Sequence, residues 1–168
     1  MVTGDITTVA ADVIVNAANP ELVGGSGVNG AILRAGGPTI LHELSKIRAE
    51  SGGCQPGNAV VTSAGRIPTK YIFHAVGPVY RDGKQGEPEL LASCYETCLR
   101  LADERHVETI SFPAISTGVY GYPIEEAARI ALEVVLRHLM RGEGSVREVV
   151  MVLFDYAAYR IYERVLLE

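Results

Sequence analysis

Several features are missing from this chain, and each absence excludes a class of protein. It has no tryptophan, only three cysteines and no run of lysine or arginine, and its formal net charge is −5. Sequence-independent nucleic-acid binding relies on clustered basic residues, so we expect no nucleic-acid partner. No stretch approaches the roughly 18 apolar residues that cross a bilayer, so we expect no membrane partner either.

The three cysteines are too few and too irregularly spaced for a disulfide framework. Cys94 and Cys98 are four residues apart in a segment with helical periodicity, so both should face the core. Together with Cys54 they fit small buried hydrophobic residues in a reducing cytoplasm better than a redox or metal site. The first residues also lack the charged and apolar segments of a secretory leader. We therefore expect a cytoplasmic protein.

What the chain has in quantity is glycine, and several glycines lie between a predicted strand and a predicted helix. The strand covers residues 13–17, Asn16 and Asn19 lie at its end, and the helix covers residues 28–35. Glycines in the segment 24–30 allow a ligand to approach the main chain closely. Free N–H groups at the start of the helix face outward at the positive end of its dipole. The segment therefore predicts an anion site made of backbone, best suited to phosphate.

The same segment matches the dinucleotide fingerprint, because Gly25, Gly27 and Gly30 have the spacing G-x-G-x-x-G. In a dinucleotide fold, however, the strand runs almost directly into the first glycine, and an acidic residue follows about 20 residues later at a strand end. Here residues 20–23 intervene, and Glu50 falls in a helical pattern. We therefore disfavour a Rossmann oxidoreductase. A Walker-type phosphate loop is excluded because no Gly-Lys-Ser/Thr follows.

Predicted strands and helices alternate along the chain, and several strands are apolar on both faces. This pattern is typical of a sheet covered by helices on both sides, so we predict a three-layer α/β domain. With 168 residues and no linker or repeat, residues 1–168 are expected to form a single domain. The predicted strands cover residues 13–17, 59–63, 71–76, 109–112 and 146–154, and the predicted helices cover residues 28–35, 39–49, 89–106, 123–140 and 157–167.

A second strand-to-helix loop, residues 113–123, resembles the first in its small and hydroxyl residues and its two glycines. Taken alone it fits an ordinary turn equally well, but ligands of open α/β sheets bind outside the carboxyl ends of strands, where both loops should lie. Neither loop holds a lysine or arginine, and no Asp/Glu cluster offers a magnesium site. Phosphoryl transfer requires such charges. We expect phosphates that are held and not transferred, with no metal and no cofactor.

Taken together, these segments resemble the macrodomain family in the right order along almost the whole chain. The matching segments are Gly4-Asp5-Ile6-Thr7, Val15-Asn16-Ala17-Ala18-Asn19, residues 24–31, His74-Ala75-Val76-Gly77-Pro78 and residues 112–123. The closest likeness is to the bacterial branch described as O-acetyl-ADP-ribose deacetylases and ADP-ribosyl hydrolases. The resemblance implies a mixed sheet between helical layers, with ADP-ribose or a derivative, free or on an ADP-ribosylated protein, in a cleft at the loop edge. Residues 1–3 supply only part of the first strand that the family carries.

At the adenine end, the resemblance implies that Asp5 accepts a hydrogen bond from the adenine amino group, with the Ile6 backbone beside it. Asp5 also fits a helix N-cap, and the two roles are compatible. Phe154 is placed like the family's adenine-stacking aromatic residue, although a core phenylalanine fits the same position.

At the phosphate and ribose end, Asn19 matches the residue that contacts the distal ribose. Asn16 is a polar amide at the same strand end that needs a partner, so we expect it to bind the ligand as well. Tyr120 would pack against the same sugar, and His74 is interpreted as structural. The resemblance also implies that residues of both loops contact the ribose side or enclose the diphosphate with backbone N–H groups. They are Gly24, Gly25, Ser26, Gly27 and Val28 in the first loop and Ser116, Thr117, Gly118, Val119 and Tyr120 in the second.

One departure from the family concerns the chemistry. In the hydrolytic branch the first loop usually reads Gly-Val-Asp-Gly-Ala-Ile-His, where this chain has Asn29 for the aspartate and Leu33 for the histidine. An amide takes up no proton near neutral pH, so Asn29 cannot be a general base. The candidate catalytic residues are then Asn19 and Asn29, which would orient groups while a substrate phosphate activates water.

Two hypotheses follow from the resemblance and its departure. The first is a metal-independent hydrolase of O-acetyl-ADP-ribose or of mono-ADP-ribose esters on protein carboxylates. The second is a module that binds ADP-ribose without cleaving it. The matching residues on the ribose side favour the hydrolase, whereas Asn29 favours the binding module.

Overall fold

The computed structural model describes residues 1–168 and contains a six-stranded sheet with helices on both faces. The strands are β1 (Val2–Thr3), β2 (Val13–Ala18), β3 (Ala59–Thr62), β4 (Tyr71–Val76), β5 (Thr109–Phe112) and β6 (Glu148–Leu153). The α-helices are α1 (Gly27–Gly36), α2 (Pro38–Ser51), α3 (Glu87–Glu104), α4 (Ile124–Arg141) and α5 (Tyr156–Leu166), and one turn of 3-10 helix covers Ile6–Thr8. None of these helices has both the length and the apolar composition needed to cross a membrane.

The strand order is β1-β6-β5-β2-β4-β3, and all neighbouring strands are parallel except β3 and β4. One face of the sheet packs with α3, α4 and α5, and the other packs with α1 and α2. Strand β2 shows the division, because Val13 and Val15 belong to the first hydrophobic cluster and Ile14 to the second. The predicted three-layer α/β/α architecture with a mixed sheet is confirmed.

Each strand and helix predicted from the sequence is present, with its ends within two residues of the prediction. The β-strands are found where apolar runs were flanked by glycine or proline, and the helices where the apolar period was near 3.6. Gly52 ends α2 in the left-handed conformation, with φ of 80°, and its N–H donates to the carbonyl of Arg48 at 2.8 Å. Gly52 therefore acts as a glycine C-cap of α2.

The polar loop before α3 is mostly exposed but is tied to one buried carboxylate. Its last residue, Glu87, begins the helix and is only 2% exposed. The Glu87 carboxylate accepts N–H groups from Arg81 at 2.9 Å, Asp82 at 3.2 Å, Gly83 at 3.0 Å and Gln85 at 2.6 Å. Burial raises the pKa of Glu87, but these N–H groups outweigh burial and lower the pKa to about 2. The loop is therefore folded around a charged side chain.

The cysteines behave as the sequence predicts. Cys54, Cys94 and Cys98 are all free and buried. Burial raises the pKa of the Cys94 thiol to about 12. A thiol that stays protonated is a poor nucleophile and a poor metal ligand, so these residues contribute to packing.

Candidate functional site

Five parallel strands bring the predicted site residues to one edge of the sheet. In spatial order, Asp5 follows β1, Phe154 follows β6 and residues 113–123 follow β5. Residues 19–26 follow β2, and Gly77 follows β4. Strands β5 and β2 are adjacent, yet their loops lead to α4 on one face and α1 on the other. A crevice opens where chain directions diverge in this way, and ligands of open α/β sheets bind there.

The first loop presents a continuous run of unpaired main-chain donors. No backbone N–H from Gly24 to Asn29 donates a hydrogen bond within the protein, and the first helical bond of α1 runs from Gly30 N to Ser26 O at 3.3 Å. Ser26 is the N-cap residue, but its side chain makes no capping hydrogen bond. These donors lie at the positive end of α1 and can bind an anion without any cationic side chain.

Gly30 makes the close approach of α1 to this loop possible. A Cβ at Gly30 would lie 2.5 Å from the carbonyl oxygen of Gly25. Only a residue without a side chain lets the helix and the loop pack at this distance. The loop geometry therefore depends on a glycine inside the helix, where glycine is otherwise unfavourable.

The carbonyl of Val23 organises the two candidate catalytic asparagines. Its oxygen accepts from Asn19 Nδ2 and from Asn29 Nδ2, each at 3.0 Å, and Val23 N donates to Asn19 Oδ1 at 3.0 Å. Each carboxamide nitrogen has a second N–H left over, and a Cβ at Gly25 would lie 3.2 Å from Asn29 Nδ2 and 3.9 Å from Asn19 Nδ2. At this point the site offers hydrogen-bond donors and no general base.

Asn16 was expected to bind the ligand, but it lies under Asn29 and is fully buried. Asn16 Nδ2 donates to Asn29 Oδ1 at 2.8 Å and lies 3.1 Å from His74 Nδ1. His74 is also fully buried, and burial lowers its pKa to about 4, so the imidazole is neutral. The two residues support the site from within the sheet.

The second loop is held in a strained conformation by the segment after β4. Ser116 has φ of 67°, a left-handed conformation that is uncommon outside glycine. Its Oγ donates to Pro78 O at 2.8 Å, and its carbonyl accepts from Tyr122 N at 2.9 Å. A Cβ at Gly77 would overlap the Ser116 hydroxyl, so this close packing also needs a glycine.

This strain leaves most of the predicted second-loop donors unpaired. The N–H groups of Ser116, Gly118, Val119 and Tyr120 donate no hydrogen bond within the protein. Thr117 is an exception to the prediction, because its N–H donates to Ala114 O at 3.3 Å. Its hydroxyl donates to the same carbonyl at 2.8 Å. The N–H of Thr117 therefore stabilises the turn and is not available to a ligand.

Tyr120 is a half-buried residue of the second loop. Burial and, to a lesser degree, the carboxylate of Glu21 raise the pKa of Tyr120. Glu21 belongs to the first loop and Tyr120 to the second, and Tyr80 N donates to Tyr120 O at 2.9 Å. The hydroxyl is therefore protonated at neutral pH and able to donate.

The opposite end of the edge carries a carboxylate and an exposed aromatic ring. Asp5 Oδ1 accepts from Thr7 N at 2.9 Å and from Thr7 Oγ1 at 2.7 Å, so Asp5 caps the 3-10 turn as predicted. These bonds lower the pKa of Asp5. Its Oδ2 and the N–H of Ile6 make no hydrogen bond within the protein. The ring of Phe154 is 87% exposed, which excludes the alternative of a core phenylalanine.

A separate cavity of about 560 Å³ lies between α3 and α4 and does not reach this edge. Charged residues line it, and several of them pair with each other or with neighbouring residues. His138 Nε2 lies 2.8 Å from Asp103 Oδ2, and Arg137 pairs with Glu133 at 3.3 Å. No group of three or more histidine, cysteine or carboxylate side chains is arranged to hold a metal ion, here or at the sheet edge.

The Macro domain family model matches residues 15–131 of the chain. The chain belongs to the Macro domain family. It is 52% identical over 98% of its length to a macro domain-containing protein of Caldanaerobacter subterraneus, covering 93% of that protein. It is 48% identical over 99% of its length to O-acetyl-ADP-ribose deacetylase 1 of Pantoea vagans, covering 96% of that protein.

Solved macrodomain structures have the same fold. The Oceanobacillus iheyensis macrodomain with ADP aligns with a TM-score of 0.93 and 43% identity, over 98% of this chain and 87% of that one. The Trypanosoma brucei macrodomain in complex with ADP-ribose aligns with a TM-score of 0.88 and 38% identity, over 98% of this chain and 67% of that one. The predicted family is confirmed, and the dinucleotide-fold interpretation of the glycine loop is excluded.

Main-chain atoms of this macrodomain contribute to the site in ways that residue types do not reveal. The carbonyl of Val23 holds both asparagines, and the carbonyl of Pro78 holds Ser116. A main-chain acceptor leaves no mark on residue identity. The available signal was indirect, since Gly77-Pro78 directly follows an apolar strand at the same edge as the two loops.

Proposed function

We propose that this macrodomain binds ADP-ribose derivatives and hydrolyses an ester bond on the distal ribose, as in O-acetyl-ADP-ribose or in mono-ADP-ribose linked to a protein carboxylate. The observation that carries the proposal is the set of unpaired N–H groups from Gly24 to Asn29, together with a second such set in the loop after the neighbouring strand β5. Two adjacent phosphates fit two adjacent sets of donors. The deacetylase names of relatives near 48% identity support the ester as the substrate.

The order of residues along the edge gives the ligand a direction. Asp5 Oδ2 and the Ile6 N–H are an acceptor and a donor suited to the amino group and a ring nitrogen of adenine. The exposed ring of Phe154 offers a stacking surface beside them. The diphosphate would then lie between the two loops, which places the distal ribose near Asn19, Asn29 and Tyr120.

The chemistry we propose needs no carboxylate base. A water oxygen attacks the acetyl carbonyl carbon and gives a proton to a phosphate oxygen of the ligand. The bond from that carbon to the ribose oxygen then breaks, and the ribose oxygen takes the proton back. The products are ADP-ribose and acetic acid, which ionises to acetate. Asn19 and Asn29 would orient the ribose and the water through their spare N–H groups.

A non-catalytic ADP-ribose-binding module is the second candidate. The observation that favours it is Asn29, whose carboxamide cannot take up a proton near neutral pH. Its oxygen is also occupied by Asn16, and one of its N–H groups by Val23. Such a module would recognise ADP-ribose on proteins without releasing it. For either candidate we propose a cytoplasmic location, in line with three buried, free thiols.

The test is a time course with O-acetyl-ADP-ribose that follows loss of substrate and appearance of ADP-ribose above the uncatalysed rate. ADP-ribose binding is measured in the same buffer by calorimetry. The control is Gly25→Val, whose side chain would meet the Asn29 carboxamide and fill the space between the asparagines. This variant should lose turnover and bind ADP-ribose far more weakly.

Catalysed loss of substrate by the wild-type protein supports the hydrolase and shows that Asn29 suffices for turnover. ADP-ribose binding without turnover supports the binding module and rejects the hydrolase. If neither turnover nor binding is measured, both functions are wrong and only the fold remains.

A further inference from the structure

A chain of buried polar side chains connects the candidate site to the far edge of the sheet. Asn29, Asn16, His74 and Thr62 are all buried, and they lie on α1 and on the neighbouring strands β2, β4 and β3. The contacts are Asn16 Nδ2 to Asn29 Oδ1 at 2.8 Å, Asn16 Nδ2 to His74 Nδ1 at 3.1 Å and His74 Nε2 to Thr62 Oγ1 at 2.8 Å. Buried polar groups in a hydrophobic sheet require an explanation.

A main-chain carbonyl at the Thr62 end fixes the direction of these hydrogen bonds. Thr62 Oγ1 lies 2.8 Å from Ser63 O, which can only accept, so the single hydroxyl hydrogen is used there. His74 Nε2 must then carry the hydrogen that it shares with Thr62. The neutral imidazole has one N–H, so Nδ1 is bare and accepts from Asn16 Nδ2.

A second carbonyl fixes the direction from the other end. Val23 O can only accept, so the nitrogen of the Asn29 carboxamide must face it and the oxygen must face Asn16. Heavy-atom positions alone do not distinguish the two amide orientations, but the two carbonyls select the same one. Asn16 donates both N–H bonds, to Asn29 and to His74, and its Oδ1 remains buried without a partner. This arrangement is costly for packing alone.

We propose that His74 and Thr62 are positioning residues, which act through Asn16 to hold the Asn29 carboxamide with its nitrogen toward the cleft. The proposal rests on the proposed function, in which the spare N–H of Asn29 orients water or ribose. It extends the site across two further strands, to a threonine on the edge strand of the sheet. Thr62 therefore controls the tautomer of His74, and the tautomer controls the orientation of Asn29.

The test is Thr62→Val, which removes the acceptor of the His74 Nε2 hydrogen while the side chain keeps its shape. The Nδ1–H tautomer of His74 then becomes comparable in free energy to the Nε2–H tautomer. Its N–H would point at the N–H of Asn16, so the Asn16 amide would turn to present its oxygen. The matched control is Thr69→Val, whose hydroxyl donates to Ala11 O at 2.7 Å away from the network. Thr62→Ser keeps the hydroxyl and should rescue the function if Thr62→Val folds poorly.

Three readouts separate positioning from mere packing. Long-range proton–nitrogen NMR of the wild-type protein should show His74 as the Nε2–H tautomer, and Thr62→Val should shift the side-chain amide signals of Asn29. Turnover of O-acetyl-ADP-ribose should fall about tenfold or more in kcat with little change in KM, as expected for a misplaced group. Thr69→Val should change none of these quantities.

The decisive measurement repeats Thr62→Val in an Asn29→Ala background. If Thr62 acts through Asn29, adding Thr62→Val to the Asn29→Ala protein has no further effect on kcat. An equal loss of kcat in both backgrounds, or an Nδ1–H tautomer in the wild-type protein, overturns the proposal. If the wild-type protein has no turnover, the proposed hydrolysis fails, whereas the tautomer and the response of the Asn29 amide still decide whether the network exists.

Discussion

At position 29, an amide carries an NH2 group where a carboxylate carries a second oxygen, and the Val23 carbonyl depends on that NH2 group. Val23 O accepts from Asn29 Nδ2 at 3.0 Å, while Asn16 donates to Asn29 Oδ1. A carboxylate at this place would keep the second bond but set an oxygen against the Val23 carbonyl. The loop of this chain is therefore adapted to asparagine. An aspartate here would be driven toward its protonated form.

We therefore predict that Asn29→Asp does not convert this protein into a fast enzyme. Turnover of O-acetyl-ADP-ribose should change less than about tenfold, well below the effect of gaining a general base. Unfolding stability at pH 7 should fall by about 1 to 3 kcal/mol, because an acceptor faces an acceptor. Steady-state kinetics and urea unfolding at pH 7 measure the two effects.

The matched control is Asn58→Asp, since the Asn58 side chain only accepts a hydrogen bond, from Ala59 N at 3.1 Å, and a carboxylate keeps it. This control should leave rate and stability unchanged. A gain of roughly 100-fold or more in the rate of Asn29→Asp would show that the missing base limits the chemistry and that the phosphate-assisted route is wrong.

His74 gives the fold a specific dependence on pH. Its pKa is about 4 in the folded protein and 6.5 in its ordinary state, so the unfolded chain binds the proton first as the pH falls. Stability should therefore decrease from about pH 6.5 to pH 4, by up to about 3 kcal/mol from this group. Urea unfolding at several pH values, with His74→Gln compared against the exposed His42→Gln, measures the slope. The prediction is wrong if His74→Gln keeps the wild-type slope.

At the scale of whole elements, the sequence predicts those features that repeat along the chain. Apolar patterns located five of the six strands and all five α-helices to within two residues, and the two loops were found because glycine and hydroxyl residues follow apolar strands. What could not be predicted depends on single contacts between distant segments. In the sequence, Asn16 is a polar residue at the end of a strand. It is nevertheless fully buried, because Asn29 and His74 accept hydrogen bonds from its two N–H groups. Glu87 is a charged residue in a polar segment, yet it is buried because four main-chain N–H groups bind its carboxylate.

The junction between the first loop and α1 is the element on which binding should depend most. We predict that Gly30→Ala destabilises the protein by about 1 to 3 kcal/mol, despite the higher helix propensity of alanine, because its Cβ would press on Gly25 O. Displacing the loop should also weaken ADP-ribose binding tenfold or more, because the donors no longer converge on one ligand position.

Calorimetry and thermal unfolding measure these two effects of Gly30→Ala. The matched control for stability is Gly24→Ala, since a Cβ at Gly24 meets nothing within 4 Å. That substitution should leave stability close to that of the wild-type protein. Equal stability of the Gly30→Ala and wild-type proteins would mean that the helix can move away from the loop without penalty.

For the whole molecule, an anionic ligand has to be bound by a protein with a net charge of −5. Neither loop contributes a lysine or an arginine, and the same edge carries the carboxylates of Asp5 and Glu21. Within the two loops, attraction must therefore come from main-chain N–H groups and the dipole of α1, which act over a short range. A nearby cationic side chain is Arg34 of α1, whose guanidinium would lie 2.9 Å from a Cβ at Gly30. The long-range field of the protein opposes the approach of the ligand.

This balance determines the sign of the salt dependence. Added salt screens the long-range repulsion between the protein and a diphosphate, but it screens short hydrogen bonds from partly buried N–H groups much less. We predict that ADP-ribose affinity stays within about threefold, without a systematic loss, when ionic strength rises from roughly 0.05 to 0.5 M. Calorimetry at several salt concentrations measures it. A tenfold loss of affinity would reveal an ion pair between a cationic side chain and the diphosphate, and with it a site unlike the neutral one that Gly24–Asn29 and Ser116–Tyr120 form.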